Sequence, residues 1–378
     1  MLSREADGML TLLLLLATAG GETRNLILQA APPPQPAIVA PPTPLLVEWS
    51  GGEVRCDGAP VTPVRTVKPE PAVAASRPGA DISQIELVFR IDAEGRPLDI
   101  DQSRPVVSAM SADLAPSLSL WRFEPRRERA NCAIRFTPST AAIATAPIEA
   151  LRRFAAVSRS TSYGRNEVLA RIRAGDCVSP RYPRVLLQGF PDYEMLPQES
   201  GTALLSVIGF DIGPDGKPTR VRVVGGDGNA ALDRAAVAAQ EQSRYATGDA
   251  RSGCTMPFVR RPGESVAAPP PPHLASFRPA GATCPRDIKW ASMPPLSFPE
   301  AFRRRAIEGW AVVKFDLAPW GQPGNVEVVA SAPADIFADN ARSIVMRARA
   351  EARDGGGVTG CVERVVFRIG REELASAP

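Results

Sequence analysis

The residues whose type and spacing could do chemistry are the six cysteines of this 378-residue chain: Cys56, Cys132, Cys177, Cys254, Cys284 and Cys361. No two lie close enough for a zinc knuckle or a CxxC redox pair. Taken in order, two at a time, they are separated by 76, 77 and 77 residues. That near-constant interval points to three disulfides, one per repeated unit, although six cysteines admit fifteen pairings and six buried free thiols are the other reading. A bond closing a loop of that size would stabilise its unit by ~4.5 kcal/mol in the chain-entropy picture. It would also require an oxidising compartment.

Little else suggests reactivity. The one histidine, His273, lies in "PPPPHL", without the third group that orients a general base. The acidic pairs Asp92/Glu94 and Asp211/Asp215 fall at turns, where polar turn chemistry accounts for them. No phosphate loop, metal set or nucleophile elbow is present, so the chain is read as a non-enzyme with no catalytic residue, metal or cofactor. Lys and Arg total 44 against 41 Asp and Glu, and the longest run of like charge is Arg303 to Arg305. That is no nucleic-acid footprint, and arginine pairs such as Arg126/Arg127 and Arg260/Arg261 are expected on the solvated surface.

The elements that would carry the cysteines follow from a stretch written three times: "FRIDAEGRP" from Phe89, "FDIGPDGKP" from Phe210 and "FDLAPWGQP" from Phe315. Alternating residues precede each copy, as in a half-buried strand. The inward sets are Ile85, Leu87, Phe89 and Ile91; Ser206, Ile208, Phe210 and Ile212; and Ala311, Val313, Phe315 and Leu317. Gly95, Gly216 and Gly321 mark a turn that favours positive φ. Second strands return through Ile100, Val221/Val223 and Val326/Val328. Helical spacing follows at Asn229 to Gln242 and Asp335 to Ala352, and a last strand is expected to begin at each second cysteine. Ahead of the third hairpin, Ser297 and Glu300 propose a capping box and Gly309 a helix stop.

The stretch from Phe298 to Val345, with Phe298-Pro299, Glu308-Gly309, the alternating valines and the turn glycine, resembles the carboxy-terminal domain of the TonB family. The second copy keeps Tyr182-Pro183 and "LDRAA" at Leu232 to Ala236, and "WRFEP" at Trp121 to Pro125 resembles the family's helix-to-strand passage. The resemblance implies an α+β fold of three tandem TonB C-terminal-like domains, each a small antiparallel sheet with packed helices. It also implies periplasmic binding modules that grip outer-membrane transporter segments or other envelope proteins. Independently of the name, a three-stranded sheet leaves an edge whose unpaired backbone groups an extended peptide can satisfy. The candidate edge is the strand Cys361 to Ile369, with partner-contacting residues Val362, Arg364, Val365, Val366, Phe367, Arg368 and Ile369. Val365, Phe367 and Ile369 are expected on one face and Arg364, Val366 and Arg368 on the other.

The 39 prolines, about twice the usual share, concentrate in "APPPQPAIVAPPTP" and "AAPPPPHL", which read as extended linkers. The apolar run Met9 to Gly21 ends in a small-x-small pattern and reads as a secretory signal or a short membrane anchor. The expected plan is a signal or anchor at 1–19, a linker at 20–50, repeats at 51–140, 177–262 and 284–370, a helical connector at 141–176, a second linker at 263–283 and a tail at 371–378. The location that follows is the periplasm, or the inner membrane facing it. The leading function is partner binding in support of energy-dependent transport, and the alternative is an unenergised scaffold or adaptor.

Overall fold

The computed structural model describes residues 43–76, 82–102, 109–158, 162–173, 175–178, 181–197 and 199–370. The signal or anchor, most of the first linker and the tail lie outside them. The elements in chain order are β1 (Thr43–Gly51), β2 (Val54–Cys56), β3 (Ala59–Val61), β4 (Ala72–Ser76), β5 (Ile85–Ile91), β6 (Pro97–Gln102), α1 (Leu114–Ser119) and β7 (Arg129–Ala142). Next come α2 (Ile148–Val157), α3 (Arg165–Ile172), β8 (Val185–Leu187), β9 (Leu204–Ile212), β10 (Pro218–Gly226), α4 (Ala230–Gln242), β11 (Arg244–Tyr245) and β12 (Arg251–Arg260). The third unit has a 3-10 turn (Leu274–Phe277), then β13 (Trp290–Ser292), α5 (Glu300–Arg304), β14 (Gly309–Leu317), β15 (Pro323–Ala332), α6 (Ile336–Arg347), β16 (Arg349–Ala350) and β17 (Val358–Phe367).

The repeated motif builds the same unit three times. Its antiparallel sheets run β6-β5-β7, β10-β9-β12 and β15-β14-β17, with the hairpin's first strand in the middle. Each motif phenylalanine faces the unit's second cysteine across the sheet: Phe89 opposite Cys132, Phe210 opposite Cys254, Phe315 opposite Cys361. The residue before each of those cysteines, Asn131, Gly253 or Gly360, has positive φ and sits in a bulge. Asp211 and Asp316, the acid of the motif in the later copies, accept the N–H of Gly253 at 2.8 Å and of Gly360 at 2.9 Å. These aspartates also take the side chains of Arg220 and Asn325, so each ties the returning strand and the final strand to the central one. A second bulge, at Asp99, Arg220 and Asn325 with φ of 53°, 52° and 49°, bends the returning strand in all three units.

The turn glycines are held by more than their φ of 76°, 77° and 83°. The carbonyl oxygens of Gly95, Gly216 and Gly321 each accept a backbone N–H at 2.9 Å, from Phe123, Tyr245 and Ala350 respectively. The returning chain is then so close that a Cβ on each glycine would lie 2.2, 2.1 and 1.9 Å from the carbonyl oxygen of that same residue. This contact ties the hairpin turn to the passage from helix to last strand.

The disulfides join Cys56 to Cys132, Cys177 to Cys254 and Cys284 to Cys361, one in each unit. Beside them the entering segment makes short backbone contacts with the last strand: Asp57 N–H to the Asn131 carbonyl, Asp176 N–H to that of Ser252, and Thr283 and Cys284 N–H to that of Thr359.

Several expectations are corrected. Each last strand begins three residues ahead of its cysteine, at Arg129, Arg251 and Val358, because the bulge is itself paired. The helix expected to run to Ala352 stops at Arg347, where the chain turns extended so that Arg349 and Ala350 pair with Ser292 and Trp290. No capping box forms: α5 is a five-residue turn without a side-chain cap, and the Ser297 carbonyl is taken by Asn340 Nδ2. Gly309 starts β14 rather than ending a helix, and a Cβ there would meet the Phe337 ring at 2.5 Å. The central strand of the first unit keeps the expected alternation, with Leu87, Phe89 and Ile91 buried and Arg90 exposed, but those of the second and third units are not half-buried, since all nine residues of β9 and most of β14 are covered on both faces.

The described end of the first linker, from Thr43, and the second proline-rich stretch are not free linkers. Residues 43–51, at the end of the first, form β1, which lies between β7 and β4 in the first unit's enlarged sheet. The second stretch packs on the back of the third sheet: Ala268, Leu274 and Phe277 contact the cluster of Trp310, Val312 and Ala332. Trp310 Nε1 donates to the Pro269 carbonyl at 2.7 Å and Arg364 Nη2 to that of Pro272 at 2.8 Å.

The three units meet at a buried cluster of charge. Arg305, 3% exposed, grips Asp113 through Nε at 2.8 Å and Nη2 at 2.5 Å, and also donates to the carbonyls of Lys68 and Gly201. Arg153 grips Glu70 at 2.7 and 2.5 Å and reaches Asp227 at 2.8 Å and the Ala203 carbonyl at 2.9 Å. Glu70 N–H donates to Asp113 at 2.6 Å, closing the network. The bidentate geometry compensates the loss of hydration. Burial alone would raise the Glu70 carboxyl, but the hydrogen bond and charge of Arg153, with Arg305 behind, hold it below its ordinary value. Arg260, expected on the surface, is also buried, with its guanidinium on the Leu196 carbonyl.

Two outcomes follow. Gly321→Ala should cost about 2 kcal/mol or more in urea unfolding, whereas Gly324→Ala, where nothing lies within 4 Å of the added carbon, should stay within about 0.5 kcal/mol. Glu70→Gln should cost about 3 kcal/mol at neutral pH by stranding Arg153. Because the folded carboxyl is lowered, Glu70's contribution is complete above its ordinary value of 4.5 and is lost as the pH falls through the lowered folded one. The gap between variant and parent should therefore close in acid; a gap independent of pH would contradict this account.

Candidate functional site

β17 pairs with β14 alone and forms the rim of the third sheet. From Cys361 to Phe367 the register with Phe315 to Gly309 is unbroken over seven residues, so this rim is straight. The opposite rim, β15, carries two register shifts, which bend it away from further pairing.

The direction of the β17 backbone can be read from its hydrogen bonds. Arg364 N–H meets the carboxylate of Glu363 at 3.1 Å instead of β14. With a period of two, the N–H groups of Val362, Arg364 and Val366 face away from the sheet. Among the described residues no backbone group pairs with that rim between Val362 and Phe367. Before it, the rim is closed by Thr283 and Cys284 on Thr359; after it, Ile369 N–H is taken by Glu308 at 3.2 Å. The open window is therefore closed on the outer side only at its start, by Thr283 and Cys284, and runs to the end of the strand at Phe367.

Side chains divide by face as the alternation implies. Val365, Phe367 and Ile369 are buried, and Phe367 stacks edge-on against Phe298 and Phe337. Val366 is 38% exposed and Arg368 is exposed, while Val362 and Arg364 are partly covered by the proline-rich segment. The expected strand end is corrected: β17 stops at Phe367, because Glu308 draws the Ile369 N–H away, so Arg368 and Ile369 lie past the strand. The window offers backbone donors and acceptors beside apolar side chains. Among the described residues no group of His, Cys, Asp and Glu could hold a metal ion, and no helix is long and apolar enough to cross a membrane.

Sequence reasoning missed the proline-rich cover and the Glu308 stop. The cover had a signal in Trp310, a large indole on the outward face that needed a partner for its N–H. The stop joins residues far apart in the chain and had no local signal.

A family described as the Gram-negative bacterial TonB protein C-terminal matches residues 190–253 and 294–369. Protein TonB of Klebsiella pneumoniae is 33% identical over 121 residues, which is 32% of this chain and 45% of that protein. The chain thus spans under half the length of that curated relative. A solution NMR structure of the Pseudomonas aeruginosa TonB C-terminal domain aligns over 24% of this chain and 93% of its own at 28% identity, with a TM-score of 0.21. The two matched segments fall on the second and third units, which are therefore similar to the TonB C-terminal domain.

Proposed function

We propose that the chain is a TonB-like envelope protein that binds partners by taking an extended segment of them onto the rim of β17. The observation that carries this reading is the open window from Val362 to Phe367, with outward N–H groups and no backbone partner among the described residues. An added strand satisfies those groups and gains contacts to alternate side chains. The partners proposed are segments of outer-membrane transporters or other envelope proteins, in support of energy-dependent transport. Three disulfides fit the oxidising periplasm.

A second reading is an unenergised periplasmic adaptor using the same rim. The apolar run from Met9 to Gly21 favours it, being shorter than the roughly twenty residues of a membrane span. Recovery from the membrane fraction together with a motor complex would favour the transducer, and recovery as freely dissolved protein the adaptor.

Val366→Pro removes one outward donor without taking a hydrogen bond from β14. Titrated with synthetic peptides copied from periplasm-facing segments of outer-membrane transporters, the variant should bind at least about fivefold more weakly, with an unchanged circular dichroism spectrum. Equal affinity in a folded variant would show that this rim is not the site.

A further inference from the structure

The three last strands occupy equivalent places, yet their outer rims differ. Aligned on the second cysteine of each unit, Arg364 of β17 corresponds to Pro257 of β12 and Arg135 of β7.

In the first unit the position is filled from within the chain. The Arg135 carbonyl, facing outward, accepts the Gly52 N–H at 2.9 Å, and β1 then pairs antiparallel with β7 from Gly51 opposite Phe136 to Leu45 opposite Ala142. β2 covers the part nearer the cysteine, with Cys56 opposite Cys132. Val47 and Trp49 of β1 are buried in the core shared with Phe136 and Ile134, and Leu46 is buried in the cluster beside α2. The rim of β7 is therefore already complemented by an apolar strand of its own molecule.

In the second unit the rim of β12 carries Pro257 at the outward position. Proline has no N–H to offer, and a proline on a rim strand stops further pairing. In the third unit the same position is Arg364, whose N–H is present and directed outward.

We infer that the third unit alone receives a partner strand, the first being closed by residues 43–51 of the same chain and the second blunted by Pro257. This rests on the strand-addition reading above and narrows it to one site per chain. The cis strand also gives the chemistry of the occupant: an extended, antiparallel segment whose apolar side chains alternate across the sheet. Three copies of the unit thus do not give three-fold avidity; two serve as a scaffold for one.

The test places a photo-crosslinking benzoyl-phenylalanine in the full chain at Val366, or at its equivalents Val259 and Thr137, and irradiates each with the transporter-derived peptides named above. Crosslinking at position 366, with yields at 259 and 137 at least tenfold lower, is the expected result. Comparable crosslinking at 259 or 137 would overturn the single-site inference while leaving strand addition intact. No crosslinking at any position would overturn strand addition itself. Arg364→Pro provides a check independent of the crosslinker: peptide affinity should fall at least about fivefold, whereas Thr255→Pro in the second unit should leave it unchanged. An equal loss from both would count against the inference.

Discussion

A strand at the rim of a sheet carries N–H and C=O groups that must find partners in the chain, in water or in another molecule. The architecture of this protein follows from how it meets that requirement three times over. The repeated hairpin places its own first strand at the centre of each sheet, which leaves the last strand outermost. Each disulfide anchors the entering segment to that strand beside the bulge and closes the start of the rim. Beyond the bulge the units diverge, with β1 on the first rim, Pro257 in the second and an open window in the third.

The rigidity of the open window depends on remote contacts. Arg305 follows α5 and lies a few residues before β14, yet its guanidinium is bound by Asp113 of the first unit and by carbonyls from two further segments. Arg153 ties the connector helix to Glu70 and to Asp227 of the second unit. Such charge clusters contribute less net stability than their geometry suggests, because each ion loses its hydration. Their effect is positional: an unpaired partner would be expensive, so the units are fixed where Arg305 and Arg153 both meet their acids. The back of the third sheet is fixed in the same sense by the proline-rich segment hooked on Trp310.

What was legible in the sequence was local. Period-two alternation around Phe89, Phe210 and Phe315 gave the hairpins, the turn glycines gave the reversals, and the cysteine interval gave the one-per-unit pairing seen in the structure. The inner face of β17 was also readable, since Val365 and Phe367 are apolar at alternate positions. The rest depended on pairs distant in sequence. "TPLLVEWSG" follows a proline run and lacks clean alternation because both of its faces are used, so nothing local marked it as a strand. Arg305 stands last in a run of three arginines, and only its distant acid distinguishes it from its half-buried neighbours. Pro257 was visible as a residue, but its meaning required knowing which way its nitrogen faces.

The most direct measurement is amide hydrogen exchange, resolved by residue, on the free disulfide-bonded protein. The amides of Val362, Arg364 and Val366 should exchange within seconds although their strand is well ordered, whereas the outward amides of the first rim where β1 pairs with it, Thr137, Ser139 and Ala141, should be protected as strongly as core amides. Protection of Val362, Arg364 and Val366 to the level of β14 would mean that their rim is already occupied, and would contradict the claim that the third unit is the one left open.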